Sequence, residues 1–235
     1  MIKVNEIFGP TFQGEGKSAG KPVAFLRLAM CNLHCIWCDT PHTWNWVGTK
    51  FAHPDKYIEK DEVHEMEVDE IADKLLATGM KALVISGGEP FLQQKQLLPL
   101  IKYLKRLGWW VEVETNSTVP PRPEFVEVVD QINCSPKLAN SLDPLKLRIR
   151  TNALSKLADI PKVNFKFVIA DESDLEEALG LISTFALNEV RLMPECRTKD
   201  ELLAKEEWVK QLAETHGFIY CTRLSILKSG TERGV

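Results

Sequence analysis

Short strand-like runs recur along this chain with helix-like segments between them, and no linker interrupts the series. "IKVNEIF" alternates with period two and "VAFLRL" reads as a buried strand; "ALVIS", "WVEVET", "QINCS", "VNFKFVI", "EVRLM" and "GFIYCT" follow, giving eight candidate strands. Among the intervening segments, residues 173 to 186 place Leu175, Ala178, Leu179, Ile182 and Ala186 on one helical face, with Ser173 and Glu176 as the expected capping box. Thr198 and Glu201 open the next helix in the same way, and 68 to 78 and 96 to 107 are further predicted helices, the first closed by Gly79. Such alternation predicts an α/β fold with a mainly parallel sheet that either stays open or curls towards a (βα) barrel, and periodicity does not choose between these. Either form places its ligand site beyond the carboxyl ends of the strands. The chemistry-bearing residues fall there: three cysteines follow "VAFLRL", "GGEP" follows "ALVIS", "TNS" follows "WVEVE" and "SPK" follows "QINC".

Length and composition bound the rest. A chain of 235 residues buries roughly 70–75% of the surface its unfolded form exposes, enough for a core without staples. Residues 1–235 are read as a single domain with an insert at about 44–66. The start, Met1 to Phe8, mixes Lys3 and Glu6 into an apolar alternation unlike a secretory signal, and there is no run of about 18 apolar residues, so no membrane association is expected. A formal net charge of -4 without a Lys/Arg stripe gives no support to nucleic-acid binding. Six cysteines, three of them clustered, fit a reducing compartment and a cytoplasmic protein.

The cluster is "MCNLHCIWC", in which Cys31, Cys35 and Cys38 have the spacing CxxxCxxC. This is not the paired CxxC of structural zinc, and a zinc reading would need His34 as the fourth ligand although it directly precedes Cys35. Three buried thiols without a metal are the plainer alternative. A [4Fe-4S] cube held by three thiolates leaves one iron open, and that open iron can be chelated by S-adenosylmethionine (SAM). The spacing, with Trp37 before the last cysteine, resembles the signature of the radical SAM superfamily. Gly87 and Gly88 lie one βα unit later, where glycine lets backbone approach a ligand.

Ahead of the cysteines stands "EIFGPTFQGEG". Without other context it is a flexible connection between strands. Together with "FLRLAMCNLHCIWCDTPHTW", "SGGEPFLQ", "VEVETN", "NCSPK" and "RLSILKSGTERGV", it closely resembles the 7-carboxy-7-deazaguanine synthase family over almost the whole chain. That resemblance implies a curled, reduced βα barrel, a homodimer, an electron donor of flavodoxin or ferredoxin type, and Mg2+ beside the cube and SAM. The implied reaction converts the pterin 6-carboxy-5,6,7,8-tetrahydropterin to 7-carboxy-7-deazaguanine with loss of ammonia. Phe12, Gln13 and Gly14 would contact the pterin, and Ser86 would touch it.

Glu15 is read as matching two adjacent N–H donors on the ring edge, against the alternative of ordering its loop. Arg27, in an apolar strand, would bind the substrate carboxylate, against the alternative of a buried pair with one of the chain's acids. Thr40 is implied as the Mg2+ ligand, against a turn or cap role. Trp37, Cys38, Asp39, Gly88 and the segment Ser135, Pro136 and Lys137 would contact SAM, with Glu114 or Asn116 at the ribose hydroxyls.

The resemblance breaks where the family's glycine is Ser117 here, after "ETN", and Cys196, in "MPECRT"; a positive φ at either would cost about 1 kcal/mol. Cys134, Cys196 and Cys221 are read as buried or incidental thiols. The stretch "TWNWVGTKFAHPDKY" is either a loop over the barrel mouth or part of a dimer surface, and His42 and His53 are read as solvated. The competing enzyme is a glycyl-radical activating enzyme, which would need neither "QGEG" nor Arg27 for a pterin; a non-catalytic iron–sulfur or zinc protein is a third reading.

Overall fold

In the computed structural model residues 1–230 and 232–234 are described. Among them the strands are β1 (Ile2–Phe12), β2 (Pro22–Leu28), β3 (His64–Met66), β4 (Ala82–Gly87), β5 (Trp110–Thr115), β6 (Gln131–Cys134), β7 (Val163–Ile169), β8 (Val190–Pro194) and β9 (Ile219–Tyr220). They form one sheet in the order β3-β1-β2-β4-β5-β6-β7-β8-β9. β2 runs parallel to β4, and each later strand is parallel to the one before it. β1 is antiparallel to both β2 and β3. The parallel part adds strands in chain order because each crossover returns to the same edge, and the helix it carries covers one face of the sheet.

The helices are α1 (Glu59–Glu62), α2 (Val68–Ala77), α3 (Gln94–Arg106), α4 (Pro123–Val128), α5 (Leu145–Arg148), α6 (Thr151–Ala158), α7 (Glu172–Phe185), α8 (Lys199–Thr215) and α9 (Leu224–Ser229). Leu83 and Ile85 of β4, Val111 and Val113 of β5, and Phe165 and Phe167 of β7 join Leu75 of α2 and Leu97, Leu100, Ile101 and Leu104 of α3 in one buried core. Among the described residues no helix is long and apolar enough to cross a membrane.

The alternate residues of the same strands face the other way and are largely polar: Arg27, Glu112, Glu114, Gln131, Asn133, Asn164 and Lys166. Glu112 accepts from the side chains of Gln13, Ser18, Gln131 and Asn133, while Asn164 Nδ2 donates to Asn133 Oδ1 at 2.6 Å. A fully buried Leu or Phe contributes about 1.5–3 kcal/mol, against about 1 kcal/mol net for a hydrogen bond. The helix-covered face therefore holds the fold, and the polar face is free to serve the site.

Three details differ from expectation, and one open point is decided. The capping box of α7 is Asp171 with Asp174, two residues ahead of Ser173 and Glu176: Asp171 Oδ1 accepts from Ser173 N at 2.8 Å, and Asp174 Oδ2 reaches back to Asp171 N at 3.2 Å. Aspartate is a stronger cap and lies directly after β7. Thr198 and Glu201 form their box as expected. Second, β3 is three residues long and mostly exposed, formed by pairing to the edge of β1 rather than by any pattern of its own. Third, His42 and His53 are buried, not solvated, with 4% and 1% exposure, because the tryptophan-rich stretch folds onto the cysteine loop. Finally, Ser117 does adopt the left-handed region, at φ 68°, whereas Cys196 is not among the positive-φ residues.

Candidate functional site

The carboxyl ends of β2 and β4 to β8 open on a cavity of about 570 Å3, and antiparallel β1 lines its wall with Glu6, Phe8 and Phe12. β2 ends at Leu28, and the cysteine loop starts at once. It is fixed from both sides: Met30 N donates to Thr43 O at 2.8 Å, Ile36 N to Ser141 O at 3.0 Å and His34 N to Asp143 Oδ1 at 2.9 Å. Cys31, Cys35 and Cys38 are all free thiols and all line the cavity. Enclosure pushes the Cys31 thiol up to about 12 and raises Cys35 and Cys38 as well. Thiolates in such a place need a cationic partner, and iron supplies one.

Among the described residues no three His, Cys, Asp or Glu side chains converge as ligands of one ion, which the tetrahedral zinc alternative requires. A cube takes each thiolate on a separate iron, so three thiols lining one cavity fit it.

The end of β4 is pressed against the start of that loop. Gly88 N donates to Leu28 O at 2.9 Å and Glu89 N to Met30 O at 2.8 Å. A Cβ on Gly87 would stand 2.3 Å from Leu28 O, and one on Gly88 only 1.9 Å from Met30 O. The two glycines are therefore demanded first by the chain's own backbone. Glu89 is fully buried and accepts from Phe91 N at 2.8 Å, Thr115 Oγ1 at 2.7 Å and Asn116 N at 2.6 Å, tying the ends of β4 and β5 together. Burial pushes its carboxyl up to about 7 against those bonds. Asn116 Nδ2 in turn reaches Asn32 Oδ1 at 2.9 Å and stands 3.9 Å from Cys31 Sγ.

On the opposite wall, the loop after β1 is an ordered turn rather than a flexible connection: Gln13 N donates to Lys21 O at 2.9 Å, Gly20 N to Gln13 O at 2.7 Å and Leu224 N to Gly14 O at 2.9 Å. Gln13 Nε2 is held by Glu112 and by Glu114 Oε1 at 3.0 Å. Glu15 accepts from Lys166 Nζ and, at 2.9 Å, from Arg223 Nε. Burial alone would raise the Glu15 carboxyl, but the two cations outweigh it and hold it at about 2. Arg223 also donates to Cys196 O at 2.6 Å and to Asp39, so it links this loop to the cysteine loop.

Arg27 Nε donates to Glu6 Oε1 at 2.6 Å, with side-chain exposures of 17% and 19%. Its guanidinium carries further donors at the cavity wall. Thr40 precedes a short 3-10 turn but makes no side-chain cap bond; its Oγ1 lies 3.6 Å from Cys38 Sγ. Lys137 Nζ donates to Ser135 Oγ at 3.1 Å and sits 5.2 Å from the centre of the Trp37 ring.

A family model described as the radical SAM superfamily matches residues 27–140. A 7-carboxy-7-deazaguanine synthase of Pyrobaculum aerophilum is 33% identical over 99% of this chain and 97% of its own length. The chain belongs to the 7-carboxy-7-deazaguanine synthase family. Another 7-carboxy-7-deazaguanine synthase, from Halobacterium salinarum, is 33% identical over 96% of this chain and 89% of its own. The crystal structure of QueE from Escherichia coli has the same fold, with a TM-score of 0.72 and 25% identity over 94% of this chain and 93% of that one. Membership of this radical SAM family carries with it a [4Fe-4S] cluster and SAM as the cofactors.

Every residue assigned above to the cluster, SAM, the pterin or Mg2+ lines the cavity except Pro136, which is buried beside it between Ser135 and Lys137. Glu15 and Arg27 are engaged by protein partners in the way named above as their alternatives, while still facing the cavity. Sequence reasoning passed over Glu6, Lys166 and Arg223. Lys166 was legible: like Arg27 it is a cation inside an apolar run, "VNFKFVI". Arg223 stands in the quoted terminal motif, but nothing local marks it as a partner of a residue 208 positions away.

Proposed function

We propose that this chain converts 6-carboxy-5,6,7,8-tetrahydropterin to 7-carboxy-7-deazaguanine as a radical SAM enzyme assisted by Mg2+. The observation that carries the reading is the meeting, in one cavity, of the CxxxCxxC loop and the "QGEG" loop with Arg27 between them on β2. Cys31, Cys35 and Cys38 would hold the cube, and Trp37, Asp39, Gly88, Ser135 and Lys137 would surround SAM, with Glu114 or Asn116 at the ribose. When bound, the cluster supplies the electron that splits SAM into methionine and a 5′-deoxyadenosyl radical.

The chain's own part is positioning. Arg27 sits where a substrate carboxylate would meet guanidinium donors beyond the Nε bonded to Glu6, and Thr40 and Ser86 offer hydroxyls to the same region, the first of them to Mg2+. Phe12, Gln13, Gly14 and Glu15 would present the ring-edge contacts from a loop already made rigid by Glu112, Lys166 and Arg223. An electron donor of flavodoxin or ferredoxin type and a second copy of the chain complete the proposed partners.

The glycyl-radical activating reading leaves the rigid "QGEG" loop and Arg27 without a task, and the full-length relatives do not favour it. Anaerobic incubation with SAM, reductant, Mg2+ and the carboxytetrahydropterin should yield the deazaguanine acid by mass spectrometry. A glycyl radical on another protein with no turnover of the pterin would overturn the assignment.

A further inference from the structure

Two residues of the 44–66 stretch fasten on a single cysteine. Trp44 is 4% exposed, and its Nε1 lies 3.3 Å from Cys38 Sγ. Its ring is held in that direction by three neighbours: His34, tilted at 5.0 Å, and the edge contacts of Phe51 at 5.7 Å and His53 at 5.9 Å. His34 itself stacks on Phe51 at 3.6 Å, closing the aromatic cluster. His53 Nδ1 accepts from Asp55 N at 3.2 Å, which leaves the ring proton on Nε2 to donate to Cys38 O at 3.0 Å. The stretch thus grips Cys38 through both its sulfur and its carbonyl.

The sulfurs of the other two cysteines of the loop meet different partners: Cys31 Sγ the backbone N–H of Leu33 and, at 3.9 Å, Asn116 Nδ2, and Cys35 the side chain of Asp143. The loop's own tryptophan, Trp37, turns its Nε1 to Asn140 Oδ1 at 3.2 Å.

We propose that Trp44 is a positioning residue that sets the reduction potential of the cluster: its indole N–H donates to the Cys38 thiolate and makes the cube easier to reduce. The inference rests on the three cysteines holding a [4Fe-4S] cube, as proposed above. A hydrogen bond to a ligating sulfur draws electron density away from the irons and favours the more negatively charged, reduced state. An aromatic cluster that merely sealed the site would depend on shape and not on the N–H.

The test removes the N–H and keeps the ring. Wild type, Trp44→Phe and a protein carrying β-(3-benzothienyl)alanine at position 44, in which sulfur replaces the indole N–H, are reconstituted anaerobically. Their midpoint potentials are read by EPR-monitored redox titration without SAM or pterin. Both altered proteins are expected to hold about four irons per chain and to show a midpoint more negative than that of wild type. Trp208→Phe, on α8 and outside the cavity lining, should leave the midpoint in place. A benzothienylalanine protein with the wild-type midpoint overturns the inference, and it decides the matter should the phenylalanine variant load poorly. Wild type that forms no cube would instead overturn the functional reading itself, so the two failures are distinguishable.

Discussion

Neighbouring positions of one strand face opposite demands. On β4, Leu83 and Ile85 are fully buried against α2 and α3, while Ser86 lines the cavity. On β5, Val111 and Val113 enter the same apolar core, whereas Glu112 and Glu114 between and beside them are bonded to Gln13. The helix-covered face is interchangeable within limits of volume. The inner face is a connected polar network in which each group's bond depends on another's, and partial loss of such a network costs more than its pairwise count suggests. Stability and chemistry are thus divided between alternate residues of the same strands, and substitutions can separate them.

A cysteine of the loop that borders the inner face should show the extreme case. Cys35→Ala is expected to abolish cluster retention and SAM cleavage to below detection, while far-UV circular dichroism stays that of wild type; retained iron at wild-type level would break the division. On the outer face, Leu83→Ala should cost about 2–5 kcal/mol in chemical denaturation and leave the KM for the pterin unchanged in the folded fraction. Arg27→Ala should raise that KM by about 10- to 100-fold, as expected for losing charged hydrogen bonds of about 1.5–3 kcal/mol, and should perturb the denaturation midpoint far less. Equal loss of binding and stability would make Arg27 only the partner of Glu6.

Titration sharpens the contrast further. Burial raises the Glu112 carboxyl to about 7 against the hydrogen bonds that lower it. A raised acid keeps its proton in the folded state, so its stabilising effect is complete below the ordinary carboxylate range and fades as pH climbs from about 4.5 to about 7. Denaturation of Glu112→Gln across that window should therefore slope less steeply than wild type, since the variant has no proton to lose. The smallest effect belongs to Ser117. Replacing it with glycine relieves a left-handed residue at φ 68° and should raise stability by at most about 1 kcal/mol.

Much of the scaffold could be read in advance because its cause is local. Period-two runs with a helix after each specify a parallel sheet, and the rule that ligands gather at strand ends puts the cysteines, "GGEP", "TNS" and "SPK" on one rim. Features with non-local causes escaped. β3 exists only because the edge of β1 is there to pair with. His53 is buried because Cys38 O, fifteen residues away, accepts its proton. Glu15 could be seen as a reader of N–H donors, yet Lys166 and Arg223, which already supply them, come from β7 and from the start of α9. Gly87 and Gly88, expected from the sequence to let backbone approach a ligand, are places of close approach to the chain's own Leu28 and Met30.

The central claim is that one cavity brings the sulfonium cofactor, held at the three-cysteine loop, against the pterin held by the "QGEG" loop and Arg27. Transfer of hydrogen between them tests it most directly. With the pterin deuterated at C6 and all other components anaerobic, the 5′-deoxyadenosine formed should carry one deuterium by mass spectrometry, in step with the deazaguanine acid. Deoxyadenosine produced without deuterium would contradict the account.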